Sequence, residues 1–99
     1  MRVEWLPPAI DDLQRLRDFI LPHNRLAARR AVQVIKGAVG LLFANPGLGK
    51  PVEDLPDYHD LVIPFGSAGY VLRYRIQENI IYILAVRHGK ESGFAEGGE

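Results

Sequence analysis

The sequence has no cysteine, and neither positive nor negative charge is in excess. Without cysteine there are no disulfides, thiolate metal ligands or cysteine nucleophiles, and we expect a protein of the reducing cytoplasm. No apolar run approaches the roughly 18 residues of a membrane-spanning helix, and the N-terminal MRVEWLPP lacks the apolar core of a signal peptide. The 12 Lys and Arg balance 12 Asp and Glu, so the chain as a whole is not a basic nucleic-acid binder.

The charges that are present follow a local pattern. An acidic stretch contains Glu53, Asp54, Asp57 and Asp60. Residues 71–90 reverse it, because they carry four Lys and Arg against a single Glu. The length of 99 residues and the 47% hydrophobic content predict one globular domain over residues 1–95, with a disordered Gly-rich tail at 96–99.

The first 45 residues predict a short strand and two helices. Alternation of apolar and charged residues indicates a strand over Arg2–Trp5. From Ala9 the apolar residues recur at intervals of three or four, which predicts a helix that ends before Pro22. Asn24 is a suitable N-cap for a second helix over about Arg25–Ala44. Two helices joined by so few residues should form an antiparallel hairpin.

A loop rich in Gly, Pro and Asp precedes three candidate strands. They cover Leu61–Phe65, Gly69–Ile76 and Ile80–Val86. The last is apolar on both faces, so it belongs in the middle of a sheet, and Pro64 places the first at a sheet edge or at a strand end. A two-residue loop, Glu78-Asn79, joins the last two strands. The order predicts an α+β fold, β-α-α-β-β-β, with a helical hairpin on one face of a small, mainly antiparallel, twisted sheet.

Familiar catalytic and metal-binding motifs are largely missing. His23, His59 and His88 lack the spacing of metal ligands, so we predict no metal site. The GLGKP segment lacks the spacing of a phosphate-binding loop, and a turn after a helix explains it better. Ser67 and Ser92 have no nucleophile-elbow context, and the acidic stretch fits a solvated loop. No cofactor is predicted.

A group of cations near one end of the predicted sheet is the strongest candidate site. Arg73 and Arg75 project from one face of their strand. The next strand ends in AVRHGKE, which adds Arg87, His88 and Lys90 at its C-terminal end. These five residues form the candidate binding site. The alternative is that the two strand arginines are the solvated face of a half-covered sheet, or that the acidic stretch neutralises them.

The register of this hairpin decides which side chains share a face. If the two strands pair through the two-residue loop, the numbers of facing residues sum to about 157. Arg73 then lies opposite about Leu84, and Tyr70 lies opposite about Arg87. A slip of one residue would reverse the sidedness of the candidate site.

Four segments together resemble the RelE/ParE superfamily of toxins, which belong to bacterial type II toxin–antitoxin systems. The resemblance spans about residues 2–94 and is carried by VEWLPPAIDDLQRLRDFI, ANPGLGKPVEDL, LVIPFGSAGYVLRYRI and IYILAVRHGKESGF. It implies the fold derived above and a cognate antitoxin whose C-terminal segment folds across the toxin and blocks it. An apolar stripe of the second helix, Ala27, Val34 and Leu41, would supply a groove for that segment, and the alternative is that the stripe packs against the first helix.

The superfamily divides by target. RelE-like members cut messenger RNA in the ribosomal A site, typically with a basic residue directly after the strand tyrosine and an aromatic hydroxyl or imidazole near the C-terminus. Here Val71 and Phe94 stand at those places; valine carries no charge, and phenylalanine cannot exchange a proton. ParE-like members inhibit DNA gyrase and resemble this sequence better, particularly in YVLRYR and ILAVRHGKE.

The leading hypothesis is therefore a toxin that inhibits DNA gyrase, a type II topoisomerase, through a protein–protein surface and without catalytic residues. In that case the five cationic and imidazole residues face the target or the antitoxin. The alternative is a ribosome-dependent mRNA endonuclease that uses Arg73, Arg87 and His88. A third interpretation is a toxin-like fold that is no longer toxic and only binds an antitoxin-like partner. None of the three involves a membrane.

Overall fold

A computed structural model describes residues 1–91 of the chain. Two helices pack on one face of a five-stranded mixed sheet, so the predicted α+β class is confirmed, and the predicted elements occur in the predicted order with one short strand added. The elements are β1 (Arg2–Trp5), α1 (Pro7–Ile20), α2 (Arg25–Ala44), β2 (Lys50–Pro51), β3 (Tyr58–Ile63), β4 (Tyr70–Gln77) and β5 (Ile80–His88). Ser92, Phe94, the predicted domain boundary at 95 and the tail at 96–99 lie outside the described residues.

The strands are ordered β1-β5-β4-β3-β2. β1 runs parallel to β5, and all other neighbours are antiparallel. β5 thus lies inside the sheet between β1 and β4, as its continuous apolar sequence predicts. Among residues 1–91, neither helix combines the length and the apolar character of a membrane span.

Both helices begin where the sequence offers a suitable first turn. α1 starts at Pro7, before the apolar spacing that begins at Ala9, because proline fits the first helical turn, where its missing N–H is not needed. α2 starts after the predicted cap, since Asn24 Oδ1 accepts a hydrogen bond from the Ala27 N–H at 2.9 Å. Asp12 ties α1 to the sheet, because its Oδ2 accepts a hydrogen bond from the Val86 N–H at 3.0 Å.

Strand β3 differs from its prediction. It begins at Tyr58 rather than Leu61, so the end of the acidic stretch is strand and not loop. Pro64 directly follows the last strand residue, which agrees with a strand end. The two-residue β2 was not predicted, and it covers the outer edge of β3 by pairing Lys50 with Asp60. Two residues give too short a pattern to recognise in the sequence.

The β4–β5 hairpin contains a bulge that changes the register. Near the two-residue loop the predicted register is correct, since Tyr74 faces Ile83. Pairing shifts by one residue between Arg73 and Tyr74, so that Arg73 faces Ala85 rather than Leu84. Beyond the bulge, Tyr70 faces His88 and not Arg87. Bulges insert one residue into one strand and re-aim the side chains that follow.

The core lies between the helices and one face of the sheet, which we call the inner face. From β4 and β5 it receives Tyr70, Leu72, Tyr74, Ile81, Ile83 and Val86. From the helices it receives Ala9, Leu16, Ala31, Ile35, Val39 and Leu42. The opposite side of the sheet is the outer face. Side chains alternate between the two faces along each strand, so the burial pattern of β4 assigns each of its residues.

Candidate target-binding face

Three strands bring their polar and aromatic side chains together on the outer face. β4 contributes Val71, Arg73 and Arg75, which alternate with its buried residues. Their facing partners are Tyr58, Asp60 and Val62 from β3 and Tyr82, Ala85 and Arg87 from β5. Directly facing residues share a side of the sheet, so these nine residues define the outer face.

Arg73 is held by an ion pair on this face. Its Nε donates to Asp60 Oδ1 at 2.8 Å, and its Nη2 donates to Asp60 Oδ2 at 3.1 Å. The two side chains are 20% and 27% exposed, so water screens the pair less than it would screen a pair at the surface. Asp60 therefore offsets much of the charge of Arg73. The sequence offered the alternative that the acidic stretch neutralises the strand arginines. Asp60 is the member of that stretch that does so for Arg73.

Arg75 lies between two tyrosines. Its guanidinium carbon is 5.8 Å from the centre of the Tyr58 ring, within the range of a cation–π contact. Tyr82 faces it from the other neighbouring strand. The Nε of Arg75 is buried, and within residues 1–91 it has no hydrogen-bond partner.

Arg87 and His88 point to opposite sides of the sheet. Arg87 faces Val71 on the outer face, and its Nη1 donates to the Glu91 carbonyl at 2.9 Å. His88 faces Tyr70 on the inner side, and the two rings meet edge-on with centroids 5.8 Å apart. His88 Nδ1 accepts a hydrogen bond from the Lys90 N–H at 3.2 Å in the turn after β5.

The structure thus divides the five predicted site residues. Arg73, Arg75 and Arg87 share the outer face, His88 lies on the inner side, and Lys90 is exposed in the turn after β5. The predicted grouping of His88 with the arginines is wrong, because the bulge and the alternation of the strand direct its ring toward α1. Sequence reasoning also missed Tyr58 and Tyr82. The signal for Tyr58 was its position two residues before Asp60, within the N-terminal part of β3 that the sequence did not predict.

His88 lines a separate cavity of about 550 Å³ between α1 and the end of the sheet, together with Leu16, Phe19, Phe65 and Tyr70. Glu91 closes one side of it. Its carboxylate accepts hydrogen bonds from Arg15 Nη1 and from the His88 N–H, each at 2.7 Å. Burial acts to raise the pKa of Glu91, but these two donors outweigh it and lower that pKa.

A second depression, of about 460 Å³, lies between α2 and β3. Val34, Ala38 and Leu41 of α2 form one wall, and Leu61 and Ile63 of β3 form the other. Two of the three residues that the sequence assigned to an antitoxin groove therefore line a real groove. Leu41 is 60% exposed, so the groove presents apolar surface to solvent.

The NPGLGKP loop has a structural explanation. The Tyr74 hydroxyl donates to the Pro46 carbonyl at 2.7 Å and accepts from the Gly49 N–H at 2.8 Å. A Cβ at residue 49 would lie 2.7 Å from the same hydroxyl, so glycine is needed there. Burial raises the pKa of Tyr74, and the hydrogen bond from Gly49 partly opposes this. Across residues 1–91, no three His, Asp or Glu side chains are placed to hold a metal ion.

Comparison with known proteins assigns this fold to a class of toxins. The family model for the ParE toxin of the type II toxin–antitoxin system parDE matches residues 3–93. A solved structure described as the chromosomal ParDE system of P. aeruginosa superposes with a TM-score of 0.76 at 27% identity, covering 91% of this chain and 97% of that one.

Two relatives from Caulobacter vibrioides carry the other name of the superfamily. Toxin RelE3 is 34% identical over 89 residues, which is 90% of this chain and 95% of the relative. Toxin RelE1 is 30% identical over 80 residues, or 81% and 84% of the two chains. The chain belongs to the ParE toxin family of type II toxin–antitoxin systems, within the RelE/ParE superfamily. Membership implies an antitoxin protein as its partner.

Proposed function

We propose that this toxin inhibits DNA gyrase by binding it through the outer face, without catalysing a reaction of its own. One observation carries the proposal: His88 lies on the inner side of the sheet, away from the arginines of the outer face. The outer face then presents cations and tyrosines without an imidazole. Arg and Tyr are enriched among the residues that dominate binding energy in protein interfaces.

The outer face is poorly suited to RNA cleavage. Cleavage needs a general acid and a general base beside the reacting phosphate, with cations that stabilise its charge. The carboxylate of Asp60 is already held by two hydrogen bonds from Arg73. The residue after Tyr70 is the uncharged Val71, which faces Arg87. These features favour binding over catalysis.

The proposed antitoxin site is the groove between α2 and β3. Its walls are apolar, and a groove of this kind accepts the apolar side of an amphipathic segment. The proposal places toxin and antitoxin in the cytoplasm, which agrees with the absence of cysteine. Leu41→Asp should weaken antitoxin binding while the fold remains, because Leu41 is mostly exposed.

The central experiment expresses the toxin without antitoxin and measures gyrase supercoiling and mRNA cleavage in parallel. We expect inhibited supercoiling and intact mRNA. Arg75→Gln and Arg87→Gln should each weaken inhibition about tenfold or more, as expected for interface anchors. Arg17→Gln is the control, because Arg17 is exposed on α1 and, within residues 1–91, its side chain pairs only with its neighbour Asp18. Codon-phased mRNA cuts with normal supercoiling would refute the gyrase proposal.

Ribosome-dependent mRNA cleavage is the second candidate. It is favoured by the phenols of Tyr58 and Tyr82 beside Arg75, which could hydrogen-bond a phosphate or 2′-hydroxyl, and by relatives named RelE toxins. The Tyr58→Phe and Tyr82→Phe variants separate the two functions. They should leave gyrase inhibition within about threefold of wild type if binding is the function, whereas loss of a catalytic proton donor typically costs 10²–10⁴-fold in cleavage rate.

The third possibility, a toxin fold without toxicity, has a simple readout. A strain that accumulates folded protein without antitoxin should stop growing under either toxic function. Normal growth, together with retained antitoxin binding, would instead identify a protein that only binds its partner.

A further inference from the structure

Helix α2 has a strongly one-sided charge. Its 20 residues include four cations and no acidic residue, although the charges of the whole chain balance. All four cations, Arg25, Arg29, Arg30 and Lys36, are exposed. In the described part of the chain they take part in no ion pair, whereas four other arginines do. We call these four residues the α2 ridge.

The ridge is polar from Arg29 to Lys36, and Leu26 near its N-terminal end is 52% exposed. Arg25, Arg29 and Lys36 recur at helical spacing along one side of α2, and Arg30 lies about 100° further around the helix from Arg29. Eleven residues separate the two ends of the ridge, which is about 16 Å at the rise of an α-helix. Between residues 29 and 36 every exposed residue of the helix is Arg, Gln or Lys.

These charges do not serve the stability of the helix. Arg25 occupies the first helical position, where the positive end of the helix dipole disfavours a cation. Arg25 and Arg29 are like charges at i,i+4 spacing, which repel one another. The first turn contains no acidic residue to compensate. These cations repel one another and the helix dipole, and an anionic partner outside the molecule would offset that repulsion.

We propose that the α2 ridge binds the phosphodiester backbone of duplex DNA. Duplex DNA carries one charge per about 1.7 Å of its axis, so a ridge of about 16 Å lies beside more phosphates than its four cations can contact. Arg, Lys and Gln are typical phosphate-contacting side chains. A protein partner is less suitable, because protein interfaces have an apolar core and the ridge has none between Arg29 and Lys36.

The ridge and the outer face lie on opposite surfaces of the molecule, because α2 packs on the inner face and turns its cations to solvent. One toxin can therefore contact an enzyme through the sheet and DNA through α2. That simultaneous role rests on the proposed gyrase function. DNA binding itself is measured on the isolated toxin, so the two proposals can fail separately.

The test is fluorescence anisotropy of a labelled 20-base-pair duplex titrated with purified toxin between about 50 and 200 mM NaCl. Four phosphate contacts predict a salt slope of about −3.6, which is an affinity loss of about 150-fold over this range. Arg25→Gln/Arg29→Gln/Lys36→Gln should reduce the slope to about −1 and leave the circular dichroism spectrum unchanged. Arg25→Lys/Arg29→Lys should retain binding, because both positions keep their positive charge.

The matched control removes the same net charge elsewhere, as Arg2→Gln/Arg17→Gln/Lys50→Gln, and should keep the wild-type slope. Equal loss in both triple variants would overturn the proposal, because binding would then depend on net charge and not on the ridge. Absence of DNA binding by the wild type at the lowest salt would also overturn it. So would clearly tighter binding of structured RNA or polyglutamate than of duplex DNA, since the ridge would then serve a different partner.

Discussion

Leu72 and Arg73 are neighbours in β4, yet the structure uses them in opposite ways. Leu72 is fully buried beneath the helices, whereas Arg73 pairs with Asp60 on the outer face. The same contrast runs through the whole strand, where Tyr70, Leu72 and Tyr74 alternate with Val71 and residues 73 and 75.

The difference separates stability from recognition. Side chains of the inner face fill a close-packed core, so changes in their volume are costly. Side chains of the outer face contact water and one another, so many substitutions there should leave the fold intact. The proposed target-binding function therefore lies on the face where substitutions should cost the least stability. The following experiments test this division, from the largest expected effect to the smallest.

Leu72→Ala should destabilise the toxin by about 2–5 kcal/mol, because it opens a cavity in a fully buried position. Val71→Ala, one residue earlier on the outer face, should cost about 1 kcal/mol or less. Urea unfolding followed by circular dichroism measures both values. Similar costs for the two variants would mean that the outer face is packed as tightly as the inner face.

Gly49→Ala should cost about 1–3 kcal/mol, because the new methyl group would collide with the buried Tyr74 hydroxyl and force the loop away. Gly47→Ala is the control in the same loop, since the nearest atom to its new Cβ is 3.9 Å away. We expect that variant to lie within about 0.5 kcal/mol of wild type. An equally stable Gly49→Ala would show that the inner-face hydrogen bonds of Tyr74 are dispensable.

A double-mutant cycle on Arg73 and Asp60 should show a coupling free energy of about 1–2 kcal/mol, because the pair is bidentate and partly buried. The Arg2–Glu4 pair is the control: its groups are 3.4 Å apart and largely exposed, and we expect a coupling below about 0.5 kcal/mol. Urea unfolding of the four variants in each cycle gives the coupling. Equal coupling in the two cycles would place Arg73 among ordinary surface charges.

Glu91→Gln should lower stability at neutral pH by about 1 kcal/mol or less, since the carboxylate is partly exposed. Because folding lowers the pKa of Glu91, its contribution is present above the ordinary value of 4.5 and is lost as the pH falls through the lowered pKa. The difference between wild type and variant in thermal unfolding should therefore disappear in acid. A stability difference that stays constant between neutral pH and about pH 3, roughly one unit below the ordinary pKa of glutamate, would contradict this prediction.

Much of the fold could be predicted because its signals are local. Helical spacing, the Asn24 cap and the two-residue loop depend on residues close in sequence, and all three agree with the structure. The bulge could not be predicted, since it depends on how β5 fits its two neighbours. That single residue misplaced the facing partner of Arg73 and exchanged the sides that the predicted register gave to Arg87 and His88.

The sequence by itself determined the α+β class, the order of the elements, the buried faces of the helices and the membership in a toxin superfamily, because periodicity and motif spacing are properties of the chain. The tertiary structure decided which polar residues meet. It paired Arg73 with Asp60 across two strands, and it turned His88 away from the arginines. Those arrangements depend on register and on strand neighbours, and both are settled only when the sheet packs against its helices.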